Sequence, residues 1–395
     1  MPFDLDLVIV GGCGRVGLPL GLAFADRGLS VALYDVNAAA VDQVTRGEMP
    51  FQEDGAEDVL ARVGSNLVAT MDPADVARAE NVIVVIGTPV DEHLDPRPTA
   101  VPDAVEALAP HLRDGQLLVL RSTLYPGVTA MVEKLIERLG VDVAVAFCPE
   151  RIAEGAALKE LFDLPQIVAS RSERGQERAE KLFGALTAST VPLSPEEAEL
   201  AKLFTNTWRY IKFATANQLF MIANDFGLDF GRIRAAMMFD YPRANDLPGP
   251  GFAAGPCLLK DTMQLAAFNN NNFVLGHASM MVNEGLPLYI VSKMEESFDL
   301  AGATVGILGM AFKGGSDDVR DSLAYKLRRI LRFKARQVVC TDPYVTTDAS
   351  LVPLEDVLRV ADVLVLAAPH PEYRDLRTPT PLVDVWGFTG NGTRI

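Results

Sequence analysis

Several groups of residues in this sequence have types and spacings that could do chemistry. The segment "GPGFAAGPCLLKD", residues 249–261, sets Cys257 just ahead of Lys260 and Asp261 at the end of a Gly/Pro-rich run. A thiolate there could add to a carbonyl, and a helix beginning near Leu258 would offer it the positive end of a helix dipole. Cysteine is also a common small core residue, and Cys257 taken alone fits that role as well. The loop leading to it, "FDYPRANDLPGPGFAAGPC", also carries Arg243, and a loop of this length without regular structure is usually functional.

Lys202 and Asn206 stand one helical turn apart in "ELAKLFTN", so their side chains share a face. A buried lysine can stabilise an oxyanion and an asparagine can orient a hydroxyl or carbonyl, although two solvated polar positions would show the same spacing. Near the start, "VIVGGCGRVG" places Gly12, Gly14 and Gly17 around Cys13, Arg15 and Val16 in a Gly-x-Gly-x-x-Gly pattern between a strand and a helix. Gly12 would allow the tight turn, Gly14 the approach of a pyrophosphate and Gly17 close helix packing. Asp35 ends the next apolar run, about 20 residues on, where it can accept hydrogen bonds from a ribose diol and repel a 2′-phosphate. NAD is therefore expected over NADP.

These residues need elements to hold them. The runs "LDLVIVGG", "SVALYDV", "NVIVVIGTP", "QLLVLRST", "VAVAFCPE" and "QIVAS" are short, continuous and apolar, separated by helix-length segments. That pattern predicts a doubly wound parallel sheet covered on both faces. Thr88 and Pro89, Ser122 and Thr123, and Glu150 and Arg151 follow three of these runs, where ligands bind in open α/β sheets. Each alone could equally cap a helix or make a turn.

At "LSPEEAELAKLF" the pattern changes. Ser194, Pro195 and Glu197 make a helix start with a capping box, and helical spacing then runs to roughly Asn224. Further helices follow to about Phe298, broken at Asn269–Asn272, which reads as a helix end or turn. Strand–helix alternation resumes at "ATVGILGMAFKGGSDDVRDS". The expected architecture is α/β with an N-terminal Rossmann-type domain over 1–193, a central helical domain over 194–298 and a C-terminal Rossmann-like domain over 299–395.

Composition bounds the partners. With 395 residues, 49% hydrophobic and 22% charged, the chain can bury large cores, and its net charge of −16 argues against nucleic acid. Cys13, Cys148, Cys257 and Cys340 show no Cys-x-x-Cys or Cys/His spacing, so neither a disulfide framework nor a metal site is expected, and the three other than Cys257 read as packing residues. No signal peptide or membrane span is legible, and the expected location is cytoplasmic.

Taken in order, Gly-x-Gly-x-x-Gly with Asp35, "GTP", "STLYPG", "CPERIAEG", "ELAKLFTN", "CLLKD" and "GMAFKGGSDDVRDS" resemble the UDP-glucose/GDP-mannose dehydrogenases across nearly the whole chain. Those enzymes oxidise C6 of a nucleotide sugar to a carboxylate in two NAD-dependent steps. The resemblance implies that Cys257 is the catalytic thiol, with Lys202, Asn206 and Asp261 around the reacting carbon. It implies Glu150 as acid/base for hydrolysis and Thr123 and Glu154 as cofactor and water-positioning contacts. Thr88, Pro89, Ser122, Lys260 and Arg320 would meet the cofactor, and Arg151, Arg243, Gly251, Phe252 and Lys313 the substrate. It further implies a homodimer through the central helices and a UDP-sugar substrate, UDP-glucose ahead of UDP-N-acetylmannosamine or UDP-N-acetylglucosamine, with GDP-mannose last. A one-step β-hydroxyacid dehydrogenase would need neither Cys257 nor the third domain, and an inert nucleotide-sugar sensor would not need the thiol, lysine and acid together.

Overall fold

Residues 3–88, 90–91, 93 and 95–390 are described by a computed structural model, in which the chain forms two compact units, Met1–Thr205 and Asn206–Ile395. The first unit holds eight strands: β1 Leu5–Val10, β2 Val31–Tyr34, β3 Leu67–Thr70, β4 Ala79–Val84, β5 Leu117–Leu120, β6 Ala144–Phe147, β7 Gln166–Ala169 and β8 Thr190–Leu193. Their order is β3-β2-β1-β4-β5-β6-β7-β8. Side chains alternate between two cores, as the pleat requires. Leu7, Ile9 and Leu33 join Leu18, Leu22 and Phe183 on one face, while Val8, Val82 and Leu118 join Val105 and Val132 on the other.

The sheet departs from the sequence expectation at its margins. β3 and β8 are additional edge strands, and both lack a buried apolar run: Val68 of β3 is half exposed, and Pro192 stands within β8. Proline is tolerated there because an edge strand leaves its N–H side unpaired. The β6–β7 pair is antiparallel, through the single register Phe147↔Ala169, so the sheet is mixed.

A helix over Pro195–Asp225 begins as its sequence predicts: the Ser194 N–H donates to Glu197 Oε2 (2.9 Å) and the Glu197 N–H to Ser194 Oγ (3.4 Å). The second unit adds helices Leu258–Phe268 and Val274–Ser297, separated by a turn in which Asn270 and Asn271 take φ of 53° and 56°. Its sheet contains β9 Thr304–Leu308, β10 Gln337–Thr341, β11 Val363–Leu366 and β12 Leu382–Val383, all parallel, in the order β10-β9-β11-β12. Leu286, Ile290 and Met294 cover one face of this sheet together with Phe252 from the cysteine loop. That loop is thereby packed into the core of the C-terminal sheet. No helix among the described residues is long and apolar enough to cross a membrane.

Candidate active site

In the first unit the glycine loop has little freedom on its inner side. A Cβ on Gly12 would lie 2.7 Å from the Leu33 Cα, and one on Gly17 would lie 2.3 Å from the Gly11 carbonyl oxygen. One on Gly14 would meet nothing nearer than that same oxygen at 3.4 Å, so its outer side is open to an approaching pyrophosphate. The helix beyond, Gly17–Asp26, starts at Val16 without a side-chain cap; the Leu18 N–H donates to the Gly14 carbonyl (2.9 Å) and Pro19 has no N–H, so an anion here is met by the helix dipole and the loop backbone ahead of Leu18. Arg15 stacks on Phe51, 5.0 Å from the ring centroid. Asp35 braces the loop, accepting from the Cys13 N–H (3.0 Å) and the Asn37 N–H (2.9 Å), while each oxygen keeps acceptor capacity for a ribose hydroxyl. These residues fit a dinucleotide. Burial, and then the charge of Asp35, pushes the Cys13 thiol up to about 12, so Cys13 is a packing residue.

The strand ends are stitched to one another. The Ile86 N–H donates to Ser122 Oγ (2.8 Å) and Thr88 Oγ1 donates to the Thr123 carbonyl (2.9 Å). Thr123 itself is half-buried at the end of β5, and Pro89 lies outside the described residues.

Glu150, expected as the acid/base for hydrolysis, is held by side-chain and backbone donors on both oxygens. Its Oε2 is held by Arg121, whose Nε lies at 2.9 Å, and its Oε1 accepts from the N–H groups of Arg151 (2.7 Å) and Ile152 (3.0 Å). Arg121 is fully buried, also donates to the Cys148 carbonyl and Gln166 Oε1, and stacks on Phe183. The pair therefore anchors the loop that carries Arg151 and the half-buried Glu154. Glu53 adds a second anchor, accepting from the N–H groups of Gly155 (2.8 Å) and Ala157 (2.7 Å). Glu150→Gln is expected to destabilise the first unit by about 3–5 kcal/mol, because it strands a buried guanidinium. Urea unfolding measures this, and an unchanged midpoint would refute the anchoring role.

Glu199 was also missed from sequence. Nearly fully buried on the long helix, it accepts from the Gly127 N–H (2.6 Å), the Thr129 N–H (2.8 Å) and Thr129 Oγ1 (2.7 Å). This caps the helix Val128–Leu139 and fixes the long helix at the turn from which Lys202, itself buried, projects.

In the second unit Cys257 is exposed at the N-cap of the helix Leu258–Phe268, with its carbonyl accepting from the Asp261 N–H at 2.9 Å. Asp261 is fully buried and joins two groups, taking Asn206 Nδ2 at 2.5 Å on one oxygen and Lys260 Nζ at 2.6 Å on the other. Lys260, expected at the cofactor, is thus placed beside the acid. The preceding loop is held from three sides. Asn217, fully buried, donates to the Gly251 carbonyl (3.0 Å) and accepts from the Gly251 N–H (2.8 Å), and Asn283 holds the Asn217 amide in turn (2.9 Å). Gly251 (φ 146°) lies against Trp386, where a Cβ would come within 2.3 Å of the ring, and Gly255 (φ 98°) lies against Phe312, within 2.5 Å. Neither position accepts a side chain.

The remaining expected substrate and cofactor contacts are on the surface of this unit. Arg243 is exposed in the turn Pro242–Ala244, its Nε donating to the Tyr241 hydroxyl (2.9 Å). Lys313 lies 5.9 Å from the Phe312 ring centroid, and Arg320 pairs with the buried Asp318 through Nε and Nη2. Among the described residues no cluster of three or more His, Cys, Asp or Glu could hold a metal ion.

Comparison with known proteins covers the same ground. Residues 6–187 match the NAD binding domain of the UDP-glucose/GDP-mannose dehydrogenase family, residues 196–284 its central domain and residues 306–390 its UDP binding domain. The UDP-N-acetyl-D-mannosamine dehydrogenase of Pyrococcus horikoshii is 31% identical over 386 residues, spanning 93% of this chain and 90% of that protein. The solved structure of the P. horikoshii UDP-D-ManNAc dehydrogenase superposes with a TM-score of 0.88 at 28% identity, covering 96% of this chain and 95% of that one. A UDP-glucose dehydrogenase from Pyrobaculum islandicum gives 0.90 at 27% identity, covering 98% and 96%.

Proposed function

Since the chain belongs to the UDP-glucose/GDP-mannose dehydrogenase family, we propose that this NAD-dependent nucleotide-sugar dehydrogenase oxidises C6 of UDP-N-acetyl-D-mannosamine to the carboxylate. Relatives of that name, alike over nearly the full length, move this sugar ahead of UDP-glucose, which the motifs alone had put first. UDP-glucose remains second, supported by the similarity to the Pyrobaculum islandicum enzyme. The observation that carries oxidation to the acid, rather than to the aldehyde, is the exposed thiol of Cys257 at a helix N-terminus.

NAD, when bound, accepts the electron pair removed from carbon in each oxidation. Gly12, Gly14 and Gly17, in the loop that runs into the helix N-terminus, would hold its pyrophosphate, and Asp35 its ribose. Removing two electrons and two protons from the C6 alcohol gives the aldehyde. The Cys257 sulfur then forms a bond to that carbon, and the carbonyl oxygen takes a proton to give a thiohemiacetal. The roles of Lys202 and Asn206 are to offset negative charge on the C6 oxygen, the Asn206 amide being oriented by its bond to Asp261. Loss of a second electron pair and two protons, one from C–H and one from O–H, leaves a thioester on sulfur. Water, positioned by Thr123, cleaves the carbon–sulfur bond, releasing the carboxylate and returning the thiol.

The test is a panel of UDP- and GDP-sugars incubated with the protein and NAD, with NADH counted per sugar consumed. Two equivalents with UDP-N-acetyl-D-mannosamine, at the highest kcat/KM of the panel, are expected. One equivalent would sink the acid-forming reading, and a higher kcat/KM for UDP-glucose would return that sugar to first place.

We also propose that the protein pairs with a second copy through its central helices. The support is that Trp208 (56% exposed) and Ile222 on the long helix, and Val274, Leu275, Met281 and Leu288 on the helix Val274–Ser297, are large apolar side chains left exposed on these helices. Sedimentation velocity at micromolar concentration should show a dimer; a monomer would reject the pairing.

A further inference from the structure

The second sheet repeats the opening of the first. Gly309 turns the chain after β9 with φ 88° as Gly11 does after β1 with φ 78°, and Asp342 directly follows β10 as Asp35 directly follows β2. In a dinucleotide-binding unit the acid at that point holds a ribose. Asp342 is spent otherwise. Its side chain is fully buried, one oxygen accepting from the Met310 N–H (2.6 Å), the Ala311 N–H (2.9 Å) and His370 Nε2 (3.0 Å), the other from the N–H groups of Tyr344 (2.9 Å) and Val345 (3.0 Å). A carboxylate offers about four lone-pair sites, so no capacity remains for a sugar diol. Burial raises the carboxyl pKa, but the His370 hydrogen bond and the backbone amides outweigh it and bring Asp342 down to about 2.

His370 completes this arrangement. Its ring is fully buried and packs between Tyr344 and Tyr373, with centroids 5.1 Å and 5.8 Å away. Nε2 faces the carboxylate and Nδ1 faces the Gly315 N–H at 3.1 Å. A backbone amide can only donate, so Nδ1 is the bare nitrogen and the ring proton sits on Nε2. Gly315 has φ 68°, and a Cβ on Gly314 would lie 2.2 Å from the Pro369 carbonyl oxygen. Two successive residues of the turn after Lys313 are therefore seated on Pro369 and His370. The turn is closed on its other side by the Phe312 N–H, which donates to the Asp318 carbonyl at 2.8 Å.

We infer that His370 is a positioning residue for nucleotide binding: braced by Asp342, it holds the Gly315 amide and so fixes the turn that presents Lys313 to the diphosphate of the nucleotide sugar. This rests on the reading of Lys313 as a substrate-binding lysine. It gives the second unit a nucleotide site built on an imidazole-braced turn, in place of the acid-and-ribose contact used by the first.

Two substitutions divide the ring's functions. In His370→Asn, Oδ1 can replace Nδ1 as acceptor for Gly315 while the bond to Asp342 is lost. In His370→Gln, the terminal amide can replace Nε2 toward Asp342 while the acceptor for Gly315 is lost. UDP titrated calorimetrically, which is independent of the sugar and of turnover, should bind roughly tenfold more weakly to His370→Gln and within about threefold of wild type to His370→Asn. Amide hydrogen exchange at Gly315 should accelerate in the Gln variant only. The reverse pattern, or equal affinities in both, would overturn the inference by showing that the ring only supports Asp342. Lys313→Ala separates the two failures: unchanged UDP affinity there removes the Lys313 reading and the inference with it, whereas weakened affinity there with unchanged affinity in His370→Gln removes the inference alone. The nitrogen-15 spectrum of histidine-labelled wild-type protein needs no variant, and a proton on Nδ1 of His370 would be equally decisive against it.

Discussion

Cys257→Ser is expected to lower formation of the carboxylate by about three orders of magnitude or more, while NAD binding and the first oxidation persist. The reason lies in the second step. An aldehyde has no leaving electron pair until something adds to its carbon, and a serine hydroxyl is a far weaker nucleophile than a thiolate. Position strengthens the case, because the Cys257 sulfur sits at the uncapped start of the helix Leu258–Phe268, where backbone N–H groups favour negative charge. The other cysteines cannot substitute. Burial pushes the thiols of Cys13 and Cys148 up to about 12 and that of Cys340 up to about 11, so all three stay protonated near neutrality. Single-turnover experiments should therefore show about one NADH per site in Cys257→Ser with aldehyde retained, against two in the wild type. Carboxylate formed at the wild-type rate would end the covalent mechanism.

The parts of this site that could be read from sequence are those whose reason is local. The glycines of the first turn, the Ser194–Glu197 capping box and the helix start after Cys257 each depend on a few adjacent residues, and each is found where expected. What was hidden depends on partners distant in the chain. Nothing near Arg121 announces that its guanidinium will meet Glu150, and nothing near Asn217 announces that its amide will hold both polar groups of Gly251. β3 and β8 escaped for a related reason, since edge strands with one wet face carry no continuous apolar run. The sugar was less legible still. The glycines of the cysteine loop are set by the Trp386 and Phe312 rings, both remote in sequence, and the motifs ranked UDP-glucose first, whereas relatives alike over nearly the whole chain are named UDP-N-acetyl-D-mannosamine dehydrogenases.

Asp261→Asn should cost kcat about 10²-fold or more with NAD affinity unchanged, and it tests whether the buried acid acts on catalysis through Asn206. The carboxylate serves two donors on separate oxygens, Asn206 Nδ2 and Lys260 Nζ. An asparagine side chain has one acceptor oxygen, so its NH2 group must face one of those donors. Either the Asn206 amide turns away from the orientation needed at the C6 oxygen, or the Lys260 ammonium, 16% exposed, loses its partner. Breaking a buried pair costs about 3–5 kcal/mol, and the residual exposure of Lys260 places this case at the lower end. Stability and rate must then be separated. Lys260→Met with Asp261→Asn removes the competing donor and leaves the one amide oxygen to Asn206 Nδ2, so the double variant should recover most of the lost urea midpoint and, with the Asn206 amide again oriented, much of kcat. Recovery of stability with kcat still low would show that catalysis does not depend on the bond from Asp261 to Asn206, and the orienting role would fall.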